Sequence, residues 1–127
     1  MRHKAGIGNF FLIAVVFVFA VVLFSSCDRK REFRIKYEVT GTASKADITF
    51  WDENGDIEHR TDVRLPYSTE FRVTLKRYDY FYAHLSARNR DSSGEIKCAI
   101  YKNGRLVKEE QASGKDAVAT VDETFEY

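Results

Sequence analysis

Asp52-Glu53-Asn54-Gly55-Asp56 places oxygen donors at alternate positions, as the opening of a calcium-binding loop does. The rest of such a loop is missing. The glycine comes two places early, and Val63 stands where a bidentate Glu should close the site. A plain hairpin turn at Asn54-Gly55 accounts for the same residues, because both accept the positive φ of a tight primed turn. His59 and His84 fall in different strand-like segments with no Cys or carboxylate at ligand spacing, so no metal site is expected from them. Ser68 follows Pro66-Tyr67 and lacks the Gly-x-Ser-x-Gly elbow of a nucleophilic serine. Cys98 alternates with Ile96 and Ile100 and reads as a small buried hydrophobe. Glu109 and Glu110 are adjacent, and adjacent strand residues point to opposite faces. No catalytic residue, metal or cofactor is expected.

Cys27 has the clearest chemical setting. Arg2, His3 and Lys4 precede an unbroken apolar run from Phe10 to Phe24, then Ser25-Ser26-Cys27 and the polar Asp28-Arg29-Lys30-Arg31. A basic start, a short apolar core and small residues at the junction describe a secretory signal. The Cys after those small residues is similar to the lipidation site of a bacterial lipoprotein signal, with Phe24 where Leu is usual. Residues 1–26 are thus expected to be a signal peptide and 27–32 a lipidated tether. The alternative is an uncleaved membrane anchor, for which the apolar core is short. In both cases the rest of the chain leaves the cytoplasm for the cell envelope and stays on a membrane, inner or outer. The run Arg29-Lys30-Arg31 then either leans on anionic lipid or is an ordinary solvated tether.

The residues after Cys27 number 100 (127 minus 27), enough for one domain with one core. They hold all 19 acidic residues and 18 of the 20 basic ones, so the exported part is near neutral. That balance excludes a nucleic-acid binder, which needs a basic face. With Cys27 lipidated, Cys98 has no partner for an intrachain disulfide.

The elements that would carry these residues are strands. Phe33, Ile35, Tyr37 and Val39 alternate with polar residues, as do Ala46, Ile48 and Phe50. Ile57 to Val63 is a weak, polar strand near an edge. Pro66 keeps Leu65-Pro66-Tyr67-Ser68 out of a central strand and suits a crossing between sheets. Phe71, Val73 and Leu75 form the next strand. Phe81, Ala83, Leu85 and Ala87 oppose Tyr80, Tyr82, His84 and Ser86 on the one after. Ile96 to Ile100 meets a second hairpin at Asn103-Gly104. A strict two-residue turn there sets Cys98 opposite Glu109, so a bulge or an early end to the pairing is expected. Ala117, Ala119 and Val121 give a last strand before a polar tail. About eight short strands at regular spacing predict an all-β antiparallel β-sandwich over 33–127. Trp51, Tyr67, Tyr80 and Tyr82 are the aromatics placed outside the core or at strand ends. They are candidates for partner contact, or alternatively cross-strand pairs that stabilise the sheet.

Tyr37-Glu38-Val39-Thr40-Gly41-Thr42-Ala43, followed by Ala46-Asp47-Ile48-Thr49-Phe50, resembles the opening of the mycobacterial MmpS-type membrane proteins. Leu65-Pro66-Tyr67-Ser68 is similar to their Leu-Pro-Trp-Ser, with Tyr67 in place of Trp. Leu85-Ser86-Ala87 and Gly94-Glu95-Ile96-Lys97-Cys98-Ala99-Ile100 resemble their Leu-x-Ala and Ile-x-Cys-x-Ile segments. Asn103-Gly104-Arg105-Leu106-Val107 and Ser113-Gly114 continue the order. The resemblance implies an immunoglobulin-like sandwich outside the membrane, with no catalysis of its own. It also implies an accessory role to a resistance-nodulation-division transporter that exports lipids or siderophores. The family usually has a second Cys near its C-terminus, where this chain reads Ala117-Val118-Ala119-Thr120-Val121, and an uncleaved helix where this chain carries a lipidation signal. A stand-alone module binding a small amphiphile, glycan or protein is the other expectation. A sizeable pocket between the sheets favours a ligand; a flat aromatic patch favours a partner.

Overall fold

In the computed structural model, residues 29–127 are described; the signal segment and Cys27 lie outside them. Eight strands follow in order: β1 (Lys30–Thr40), β2 (Lys45–Trp51), β3 (Ile57–Arg64), β4 (Tyr67–Lys76), β5 (Tyr80–Asn89), β6 (Glu95–Lys102), β7 (Arg105–Ser113) and β8 (Val118–Glu126). They form two four-stranded sheets, β4-β1-β6-β7 and β3-β2-β5-β8. The all-β sandwich expected from the alternation is the fold observed.

The core is the set of residues that alternation turns inward. Ile35, Tyr37 and Val39 of β1, Ile48 and Phe50 of β2, Leu85 of β5, Ile96 and Ile100 of β6, and Val121 of β8 are all buried. Full burial of each Leu- or Ile-sized side chain contributes about 1.5–3 kcal/mol. Aromatic rings tie the layers together: Tyr37 lies 5.6 Å from Phe50 and Phe33 lies 5.6 Å from Phe125 across the sandwich, while Phe71, 5.4 Å from Tyr37, belongs to the same sheet.

The turns show where local chemistry decided the path. Asn103 and Gly104 have φ of 50° and 80°, so the β6–β7 link is the two-residue turn their types favour, with Lys102 opposite Arg105. The expected bulge follows at once. Tyr101 faces Leu106 but Ile100 faces Lys108, which leaves Val107 as the extra residue and sets Cys98 opposite Glu110. The partners of Cys98 and Ile100 on β7 are thus charged, and only Ala112, opposite Ile96, packs against the core. The apolar core stops at β6, and β7 is exposed along nearly its whole length.

The β2–β3 link differs from the tight turn expected. Trp51 pairs with Ile57, so residues 52–56 form a five-residue loop. Asp52 organises it: its Oδ1 accepts from the backbone N–H of Asn54 (2.9 Å) and of Asp56 (3.0 Å), and its carbonyl accepts from Gly55 N–H (3.0 Å). An Asp that satisfies its own loop wins over a two-residue turn because it pairs three backbone donors at once. Leu65-Pro66 is a cis peptide and carries the chain from β3, an edge of one sheet, to β4, an edge of the other. β3 is further interrupted by a bulge at Asp62, whose N–H bonds Asp47 Oδ1 at 3.0 Å. A bent, polar edge of this kind discourages pairing with foreign strands.

The C-terminal tail is a strand rather than polar coil. β8 runs to Glu126, paired with Tyr80, and Phe125 is buried. At the other end of the sandwich, Gly41 passes so close to the Glu95 carbonyl that a Cβ could not fit.

Candidate protein-interaction surface

The alternation of β5 sends Phe81, Ala83 and Leu85 into the core and Tyr82 and His84 to the outer face of the β3-β2-β5-β8 sheet. On β2 next door, Thr49 faces Ser86 and Phe50 faces Leu85, which brings Trp51 beside His84. The three rings form one group. Trp51 meets Tyr82 edge-on at 5.1 Å, lies 6.4 Å from His84, and Tyr82 stacks on His84 at 6.3 Å with 22° between planes. Ile57 of β3, 55% exposed, stands opposite Trp51 on its other side. On the β8 side Asp122 faces His84 and Thr124 faces Tyr82. Local desolvation and the nearby Asp122 carboxylate raise the Tyr82 phenol above the ordinary tyrosine range, so it stays a neutral donor.

The cluster is seated on the core by one side chain. Tyr37, fully buried, sends its hydroxyl across the sandwich to donate to the Trp51 carbonyl at 2.7 Å and to accept from His84 N–H at 3.3 Å. Burial pushes the Tyr37 phenol far above its ordinary value, so this donor is never lost to ionisation at accessible pH. The backbone beneath Trp51 and His84 is therefore fixed from inside, which pre-organises the rings above it.

The structure brings Trp51 and Tyr82 together and places Tyr80 further along the same face, 70% exposed. The three border an open depression of about 370 Å³ with Asp79 and the Glu53–Gly55 stretch. It opens where the two sheets meet, because Val73 and Leu75 of β4 and the core residue Phe81 also line it. Tyr67 is elsewhere: it opens β4, is half-buried against the core and lies 6.5 Å from Phe50. Ile57 and His84 were not singled out as contact residues by the sequence reading. The signal for Ile57 was its position two residues before His59, on the parity that faces outward.

The residues weighed for chemistry have structural surroundings. Asp52 caps its own loop. His59 Nδ1 bonds Thr49 Oγ1 across the strand pair at 3.0 Å. Burial pushes the Cys98 thiol up to about 12, and its Sγ–H donates to the Ala119 carbonyl at 3.4 Å. A thiol held neutral in this way is no nucleophile. Glu109 pairs with Lys97 at 3.1 Å. Among the described residues, no three His, Cys, Asp or Glu gather as a metal would require. Among them, too, no helix is long and apolar enough to cross a membrane.

At the far end of the sandwich Asn89, the last residue of β5, is a buried polar residue. Its Nδ2 donates to the carbonyls of Gly114 (2.9 Å), Ser93 (3.1 Å) and Gly94 (3.3 Å), and its Oδ1 accepts from Asp91 N–H at 2.8 Å. Asp91 in turn holds Ser44 through its N–H (2.7 Å) and Oγ–H (2.9 Å). These bonds are architectural.

No curated protein matches the chain. The sequence pattern of a family described as "Mycobacterium membrane protein" matches residues 11–122, from inside the apolar run to the middle of β8. A match of that length, over a sandwich with the strand pattern its motifs required, places this chain in the MmpS-type family of mycobacterial membrane proteins.

Proposed function

We propose that this protein is a non-catalytic envelope lipoprotein, lipidated at Cys27, whose sandwich serves as the accessory subunit of a resistance-nodulation-division-type transporter. The observation that carries the reading is the Trp51–Tyr82–His84 cluster, half-buried on the outer face of a sheet and braced from the core by Tyr37. Rigid, amphipathic rings on a sheet face suit a protein partner, because they bury large area at little entropic cost. The nearby depressions are open to solvent, and a continuous cluster of apolar side chains packs between the sheets. That arrangement favours a contact face over a ligand cavity. Family membership supports the membrane setting and the accessory role.

The test is paired. Tyr82→Ala truncates a half-exposed ring, so stability should change by about 1 kcal/mol or less while co-purification of the transporter falls. Capture undiminished in both Tyr82→Ala and Trp51→Ala would sink the docking face. Palmitate labelling of wild type and Cys27→Ser tests the anchor separately: label on wild type alone is expected, and no label on either refutes lipidation.

A further inference from the structure

The β4–β5 turn, the start of β1 and the end of β8 meet at one end of the sandwich. This end exposes an unusual set of side chains. Tyr78 is 86% exposed and Tyr80 70%. Tyr78 also has φ of 71°, in the left-handed region that a bulky residue adopts only at a cost. The turn is held there by three bonds. Asp79 N–H donates to the Lys76 carbonyl (2.9 Å), Lys76 N–H to Asp79 Oδ2 (3.0 Å), and Tyr127 N–H to the Asp79 carbonyl (3.3 Å). A Gly or Asn would occupy position 78 with less strain. The fold thus holds a large aromatic ring out into solvent at a place where folding alone favours a small residue. Two cations stand on these rings: the Arg77 guanidinium lies 5.1 Å from the Tyr78 ring centroid and that of Arg31 4.8 Å from the Tyr127 centroid. An open depression of about 370 Å³ lies between Tyr78 and Tyr127, with Arg77, Asp79 and Glu126 on its wall.

We infer that this end of the sandwich is a membrane-contact rim, seated in the phospholipid headgroup layer with Tyr78 at its tip. Tyrosine is favoured at that depth because its ring is apolar and its hydroxyl can stay hydrated. The guanidinium groups of Arg31 and Arg77, backed by their rings, present N–H edges to lipid phosphates. The occupant follows from chain length. Arg31 is four residues from Cys27, a reach of at most about 14 Å in fully extended chain. The inference rests on the membrane tether proposed above. Given that tether, the end of the domain that carries Arg31 is the one held against the bilayer, and the opposite end, at Asn89 and Ser92, is held away from it. Ser92 lies beyond the far end of β5, about 30 Å from Tyr80 by strand rise. The sheet-face cluster around Trp51 and His84 then remains free to meet a protein beside the membrane.

The experiment uses the full chain in vesicles of phosphatidylcholine and phosphatidylglycerol, some lipids carrying bromine just below the headgroup. Trp51, the only tryptophan, is changed to Phe, and a new one is introduced as Tyr78→Trp or, as the control, Ser92→Trp. Flotation first establishes that both variants are tethered. The expected result is a blue shift and loss of emission on bromination for Tyr78→Trp and neither for Ser92→Trp. Adding Arg31→Glu and Arg77→Glu to the Tyr78→Trp protein should restore much of its emission. A tethered protein quenched equally at both positions, or at neither, overturns the rim while leaving the tether intact. A protein that does not float overturns both. An unquenched position 78 that photo-crosslinks to another protein overturns the lipid assignment in favour of a protein.

Discussion

The Tyr37 hydroxyl donates to the Trp51 carbonyl at 2.7 Å, joining the most buried aromatic of one sheet to the most functional-looking aromatic of the other. The same oxygen accepts from His84 N–H. One core side chain thus bonds the backbone beneath two of the three rings of the outer cluster.

Tyr37→Phe keeps the ring and removes the oxygen. It leaves the Trp51 carbonyl and His84 N–H without their partner, at a cost of about 1–3 kcal/mol. Urea unfolding should show that loss, and Trp51 emission in the native state should broaden or shift as the cluster loosens. A variant matching wild type in both would mean that the bond does not brace the surface.

Asn89→Ala deletes a buried amide that serves three carbonyls and one N–H. The orphaned groups make this the more damaging change, about 3 kcal/mol or more. Hydrogen exchange should accelerate first at Asp91 and in the loops around Gly94 and Gly114. Unchanged exchange there would remove Asn89 from its role as the organiser of that end.

Cys98 should be inert in the fold and reactive once unfolded. Burial holds its thiol up at about 12, above any working pH, and the thiolate is the reacting species. Iodoacetamide at pH 8 should leave Cys98 unmodified in native protein and alkylate it in denaturant, as read by mass spectrometry. Labelling at equal rates in both states would show that the β6 region opens freely.

Asp91 supplies an acid dependence. Its hydrogen bonds to Ser44 hold its carboxyl below the usual range, so the folded value lies under the unfolded one. The bonds to the carboxylate therefore stabilise the fold above the unfolded value and stop doing so as pH falls through the folded one. Asp91→Asn should be less stable than wild type at neutral pH, and the difference should shrink in acid. A difference that stays constant from neutral pH to strong acid would show that the Ser44 contact does not depend on the charge.

The residues that were legible in sequence were those whose role follows from neighbours along the chain. Alternation in Phe33–Val39 and Ala46–Phe50 gave both the strands and the faces they bury, because a pleated strand turns each successive side chain to the opposite side. Asn103-Gly104 announced its turn through the φ values it accepts. The charged residues opposite Cys98 announced a bulge. Pro66 marked the crossing between sheets, since it cannot serve a central ladder. The tail was misread for an equally local reason. Glu123 occupies an inward parity, facing Ala83, and breaks the alternation; it is tolerated because β8 is an edge strand and the carboxylate remains only half-buried.

What tertiary structure alone decided are contacts between segments far apart in the chain. Tyr37 and His84 are 47 residues apart, and Asn89 and Gly114 are 25 apart. No pattern within a strand says which buried hydroxyl or amide will meet which backbone group. Trp51 and Tyr82 were each visible as aromatics outside the core. Their union depended on β2 and β5 pairing in one register, and Tyr67 fell to the opposite sheet. The sequence by itself determined the fold class, through period and turn chemistry. Only the packed sandwich determined which aromatics share a face, because strand order and register are set by the closure of the whole core.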